Sequence, residues 1–148
     1  MTKRGRIILM MAVLMAVLWS NLNSGLAAQR EGGSVGLKYV QVNCIYASLS
    51  IDNGTAKCYG KGQGRYTDTE TVVKVTLQRR AIGTEKWSSI CSWSGSELGR
   101  KVAEINEKKA INSGYDYRVY VSCTIRDSEG VIKETAGKYS TTISYPHS

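Results

Sequence analysis

The chain of 148 residues contains one histidine, His147, and one proline, Pro146. A histidine one residue from the end and beyond a proline is expected on a mobile tail. A Ser-His-Asp or Cys-His arrangement, which needs an imidazole held by a second partner, is therefore not expected. Carboxylates are as thinly spread. Asp68 and Glu70 form the closest pair, and two acids beside a turn read as a solvated loop rather than as the facing carboxyls of a glycosidase. No Cys-x-x-Cys pair occurs, which argues against a zinc knuckle or a thioredoxin-like redox motif, and other metal ligands do not cluster. No metal and no cofactor is expected. Gly60, Gly62 and Gly64 in YGKGQGR have the composition of a phosphate-cradling loop, but no Lys-Ser/Thr follows and no strand-to-helix switch occurs. A bulge or a strand edge feeding a loop is the expectation there. Lys and Arg are dispersed, with no recognition helix and no RNA-binding motif, so nucleic acid is not an expected partner.

Long apolar runs are also scarce. The single one spans Ile7 to Trp19, thirteen residues behind Lys3, Arg4 and Arg6 and ahead of polar and small residues. That is the three-part layout of a secretory signal peptide, and the run is shorter than the roughly 20 residues a membrane span needs. Cleavage is expected after Ala27 or Ala28, so residues 1–28 form the leader, 29–38 a flexible lead-in and 39–146 the domain. No cysteine follows the run, and ISYPHS has neither a hydrophobic tail nor a basic end, so lipid anchoring and covalent wall sorting are not expected. The expectation is a freely exported protein of about 120 residues, the size of one domain, without stable membrane insertion after cleavage. Loss of the three basic leader residues lowers the formal charge from +8 to +5, a moderately basic domain.

Cys44, Cys58, Cys91 and Cys123 are an even number in an exported chain and suggest two disulfides. Four buried reduced thiols are the competing reading.

What the chain has in abundance is period-two alternation. Ile45, Ala47, Leu49 and Ile51 share one face of a half-buried strand, with Tyr46, Ser48 and Ser50 on the other. Asn53-Gly54 then marks a two-residue hairpin, because both turn positions need positive φ. The partner strand carries Ala56, Cys58 and Gly60 inward and Lys57, Tyr59 and Lys61 outward. This turn pairs Cys58 with Leu49 and leaves Cys44 five residues out of register, too far for a direct bridge. Val73, Val75 and Leu77 face inward on a third strand, and Trp87, Cys91 and Trp93 share a face on a fourth, where Ile90 breaks the phase. The stretch 94–109 has a capping box at Ser94 and Glu97 and two favourable i to i+4 pairs, yet Gly99 weakens a helix, and we read a strand around Lys101 to Lys109. Tyr117, Val119, Val121 and Cys123 alternate inward on the next strand, which Gly114 admits through a turn. A hairpin from Asp127 to Gly130 leads to a last strand, interrupted near Gly137. About seven strands with one proline imply an all-β sandwich or barrel.

The run from Gly114 through Tyr115, Asp116, Tyr117, Arg118, Val119 and Tyr120 to Val121 resembles the Gly-x-x-Tyr-x-Val-x-Val opening of the sixth strand in fibronectin type III and related immunoglobulin-like domains. The resemblance covers Val40 to Tyr145 and implies a single antiparallel sandwich in which Tyr117 packs into a corner with its hydroxyl bonded to nearby backbone. There are departures: Ser113 stands where a proline is usual, and the second strand has Cys58 and Gly60 in place of a tryptophan. Trp87 and Trp93 are expected to fill that space. A Cys58 to Cys123 bridge would mimic the inter-sheet disulfide of immunoglobulin domains, with Cys91 to Cys123 as the alternative. The whole chain is similar to small, uncharacterised exported proteins of Gram-positive bacteria, a resemblance that implies no known activity.

Two surface patches remain. Tyr46 and Tyr59 lie on a diagonal with Lys57 and Lys61 beside them, and Tyr120 with Arg118 faces the same side as Lys74. Such faces stack on sugars or meet anionic polymers, and they also serve as ordinary sheet-stabilising pairs. The functional expectation is an exported, non-enzymatic module that contacts a cell-wall polymer, a glycan or another protein. The alternatives are a hydrolase or ribonuclease-like enzyme, which requires a pocket with two convergent carboxylates of perturbed pKa, and a toxin or inhibitor, for which no motif is present.

Overall fold

The computed structural model describes residues 39–147, so the expected leader over 1–28 and lead-in over 29–38 lie outside the described residues. Eight strands follow in order: β1 (Val42–Asp52), β2 (Thr55–Gly64), β3 (Glu70–Ala81), β4 (Ser88–Leu98), β5 (Val102–Ala110), β6 (Tyr115–Arg126), β7 (Ile132–Tyr139) and β8 (Ile143–Tyr145). They form two antiparallel sheets, β1-β2-β5 and β4-β3-β6-β7, with β8 also on β6. Among the described residues there is no helix.

The first hairpin turns at Asn53 (φ 47°) and Gly54 (φ 71°), both in the left-handed region that a two-residue turn demands. Its register pairs Leu49 with Cys58 and Cys44 with Gln63, the latter after a bulge that leaves Asn43 unpaired. The helical features of 94–109 give way to two strands. Gly99 (φ 69°) turns the chain and donates to the Thr69 carbonyl at 2.7 Å, after which β5 pairs with β2 from Gln63↔Val102 to Thr55↔Ala110. A full ladder of backbone bonds outweighs two local side-chain pairs.

Three expectations change. The final stretch is two strands rather than one, both along the edge of β6 opposite β3, which makes eight strands rather than seven. The interruption falls at 140–142, not at Gly137. The Ser140 N–H donates to the Val119 carbonyl at 2.9 Å while the Val119 N–H donates to Ser140 Oγ at 2.9 Å, so a hydroxyl takes the bond a strand carbonyl would accept. On β4, Leu77 pairs with Cys91 but Gln78 with Ser89, which makes Ile90 a bulged extra residue. One inserted residue reverses the facing of all that precedes it. Trp93 and Cys91 pack against the core, whereas Trp87 stands on the outer face under Arg80 and Arg118 and does not fill the core.

The core takes its bulk from β3 and β6: Val73, Val75, Leu77, Tyr117, Val119, Val121, Cys123 and Ile125 are all fully buried. Opposite them, β2 presents glycine. A Cβ placed on Gly60 would come within 2.5 Å of Val75 Cγ2 and 2.6 Å of Val121 Cγ2, and one on Gly62 within 2.7 Å of Cys123 Sγ. At Gly64 it would meet Thr71 Oγ1 at 2.7 Å, the atom that accepts the Gly64 N–H at 2.9 Å. YGKGQG is thus not a bulge but a strand whose inward face is bare, which lets the two sheets approach closely, and it feeds a loop that begins at Arg65. At one open edge Glu134 of β7 accepts the N–H groups of Val40, Gln41 and Val42 at 3.1, 2.6 and 2.8 Å, tying the start of β1 to the other sheet. Tyr117 donates its hydroxyl to the Asn112 carbonyl at 2.7 Å, five residues upstream.

Gly62→Ala is expected to cost about 1–3 kcal/mol, the usual range for overpacking a close-fitted core, read as a lowered urea midpoint at unchanged slope. Tyr117→Phe is expected to cost about 0.5–1.5 kcal/mol in the same melt, the net value of one hydrogen bond. A midpoint equal to the parent's would show that the Asn112 bond contributes nothing.

Candidate binding faces

On the outer face of the three-stranded sheet, alternation along β1 and β2 brings Tyr46 and Tyr59 together, edge to face, with ring centroids 5.9 Å apart. Lys61, the register partner of Tyr46, holds its Nζ 5.9 Å from that ring. Lys138 Nζ stands 6.0 Å from the same centroid. Lys138 is a contact the sequence does not announce, since it comes from β7 in the other sheet. Tyr59 donates to Glu104 of β5 at 3.1 Å; burial first, then this carboxylate, push its phenol above the usual value. Lys57 is drawn away to Asp52 at 3.2 Å across the hairpin, so it belongs to the turn and not to the aromatic pair.

The outer face of the five-stranded sheet carries a longer array. The Arg118 guanidinium lies 4.0 Å from the Trp87 ring centroid and 4.1 Å from that of Tyr139, with Nε donating to Gln78 Oε1 at 2.9 Å. Tyr139 in turn meets Tyr120, centroids 4.7 Å apart, and Tyr120 covers Gly137. Arg80 also reaches Trp87, at 4.8 Å, and donates to Asp116 Oδ2 at 3.0 Å. Ser144 donates to Asp116 Oδ1 at 2.5 Å, and these two donors, Ser144 foremost, hold the carboxyl below its usual range. Arg118 and Tyr120 are thus brought together as expected of one face. Trp87 joins them through the bulge at Ile90, and Tyr139 through its register pairing with Tyr120. Phase alone hides the first.

At one end of the sandwich a depression of about 480 Å³ is lined in part by Asp68, Glu70 and Asp127. Asp127 is committed to its own hairpin. It accepts the N–H groups of Glu129 and Val131 at 3.0 and 2.9 Å and the Lys133 ammonium at 2.7 Å. Lys133, then Val131, hold its carboxyl below the usual range, and Glu70 lies 4.0 Å from Arg126. Among the described residues no group of three or more His, Cys, Asp or Glu has the placement to hold a metal. His147 contacts the turn before β6: Nδ1 is 2.9 Å from Ser113 Oγ and the ring covers Gly114 (φ 89°).

The expected disulfides are absent; all four cysteines are free. Register explains why the three pairings weighed from the sequence are unmade, while Cys58 stands near Cys91 and Cys123 near Cys44 across the sheets without a bond. Cys44 opposes Gln63, five residues from the partner of Leu49. Cys123 Sγ lies against Gly62, four residues along β2 from Cys58, about 13 Å at the rise of a strand. Cys91 and Cys123 flank β3 at Leu77 and Val73, again four residues apart. Burial, with Cys91 adding to it, pushes the Cys58 thiol up to about 12, and burial, with Cys44 and Glu134, pushes Cys123 up to about 11. At pH 8 the thiolate of either is roughly one part in a thousand or less, so native protein is expected to alkylate at Cys44 and Cys91 and spare Cys58 and Cys123. All four are expected to label after unfolding without reductant. Mass spectrometry counts the adducts, and a mass that shows fewer than four in the unfolded chain would restore the disulfides.

No family model matches this chain, and no curated protein does. Among solved structures it is similar to the sporulation control protein Spo0M of Bacillus subtilis, at 10% identity and a TM-score of 0.39, over 69% of this chain and 50% of that one. The chain therefore spans half the length of that structure, and a likeness this distant carries no argument about fold type or function.

Proposed function

We propose that this protein is an exported, non-enzymatic binding module of immunoglobulin-like or fibronectin type III-like build, which contacts a cell-wall polymer, a glycan or another protein through a sheet face. The observation that carries the reading is Tyr46, 45% exposed on a sheet face and bracketed by Tyr59, Lys61 and Lys138. An accessible ring with cations at its rim offers stacking to a sugar and charge to a polyanion at one point. The strand order β1-β2-β5 against β4-β3-β6-β7, with the Tyr117 to Asn112 bond at the start of β6, supports the sandwich type. The charged, apolar and small-residue segments of residues 1–28 support export. A hydrolase needs a carboxyl raised toward neutral pH, whereas Asp127 in the end depression is shifted the opposite way.

The test is co-sedimentation of purified protein with isolated Gram-positive cell walls at low and high salt. Wild type is expected in the pellet at both. Replacing Tyr46 and Tyr59 together by Ala is expected to cut retention about tenfold while the protein still folds, its melt lowered by about 1 kcal/mol for the lost ring pair and the Glu104 bond. Pelleting lost at high salt would reduce the contact to charge attraction, and equal pelleting of wild type and the double variant would remove this face from the proposal.

A further inference from the structure

Unlike Arg80 and Arg126 on the outer face of the five-stranded sheet, Arg118 has no counter-charge among the described residues. Arg80 is paired with Asp116 and Arg126 lies beside Glu70, so the carboxylates of that face are engaged. Among the described residues, no carboxylate lies within ion-pair distance of Arg118, and its one hydrogen bond runs from Nε to the neutral amide oxygen of Gln78. The sheet order puts β4 and β7 on opposite sides of β6, so Trp87 and Tyr139 reach the guanidinium from opposite sides, at 4.0 and 4.1 Å. Rings on both sides shed water from the broad faces of the group and hold it in one orientation. What stays open is its edge, where the terminal N–H groups meet no acceptor among the described residues.

A planar fork of N–H donors approached along its edge matches two oxygens on one atom, as in a phosphate or a carboxylate. Lys74 is exposed on the same face and also lacks a carboxylate partner among the described residues. It sits four register positions from Gln78, the pairing partner of Arg118, which is about 13 Å along the strand. We propose that Arg118 is an oxyanion-binding residue that takes a phosphate or carboxylate group carried on a polymer, with Lys74 as the second contact along that polymer. This site lies on the opposite sheet from Tyr46, and it stands or fails independently of the Tyr46 face.

The test is a titration of purified protein at about 150 mM salt, where loose surface attraction is largely screened. The probes are a short polyphosphate and an oligogalacturonate, with a neutral dextran oligomer as control. The readouts are the Arg118 Nε–H and Trp87 indole N–H resonances and calorimetry. Saturable shifts of both resonances are expected with at least one anion and none with dextran, and the anion preferred tells phosphate from carboxylate. Arg118→Lys keeps the charge but loses the fork, and is expected to weaken binding about tenfold or more, with Lys74→Ala weakening it less. A folded R118K protein that binds within twofold of wild type would overturn the assignment. Wild type alone decides it as well: no saturable shift with either anion, or shifts confined to other residues, sinks the site without any variant.

Discussion

The close approach of the two sheets over β2 is the constraint from which most of the structure follows. Stacked sheets normally stand about 10 Å apart because both contribute side chains to the space between them. Here the inward positions Gly60, Gly62 and Gly64 contribute none, and Val75, Val121, Val73, Cys123 and Thr71 from the opposing sheet lie against bare backbone. The core is therefore one-sided, with its bulk on β3 and β6. Each glycine must stay small because its neighbours are branched side chains held by their own ladder. The Gly64 N–H to Thr71 hydroxyl bond is possible only at such proximity.

The core keeps most of its rings at its margin, where Tyr39, Trp93, Tyr115 and Tyr145 pack against it half-buried. Tyr117 is the large ring it does bury completely, and that ring is steered by a hydroxyl bond to Asn112. Tyr46, Tyr59, Tyr120 and Tyr139 are placed on the outer faces, where each meets a cation or another ring. Alternation sets these rings on the faces opposite the core, so on β2 the bare inward glycines and the outward Tyr59 are two sides of one strand.

The edges show how small local events set large differences in surface. Ile90 is one residue too many opposite β3, and its insertion carries Trp87 from the core side to the outer face, where Arg80 and Arg118 cover it. Ser140 substitutes its hydroxyl for a ladder carbonyl and splits the last strand just after Tyr139, whose pairing with Tyr120 sets it beside Arg118. Glu134 gathers three successive N–H groups and seals the edge near β1. None of these is a defect of a regular sheet; each redirects a side chain or closes a seam.

Legibility in the sequence follows the range of the interaction. Asn53-Gly54 fixed the first hairpin and its register, and alternation assigned the faces of β1, β2, β3 and β6, because these depend on neighbours along the chain and on a turn that only certain residues adopt. The aromatic and basic character of both candidate faces was readable for the same reason. Four things were not: that YGKGQG is a bare strand face, that Trp87 turns outward, that Lys138 reaches Tyr46, and that Cys123 misses both Cys58 and Cys91 by about four residues. Each depends on which strand lies opposite and at what offset, and an offset of one residue reverses a side chain's face. Period and turn chemistry are local properties that the sequence determines by itself; register between distant strands and the distance between sheets are decided only when the whole core packs.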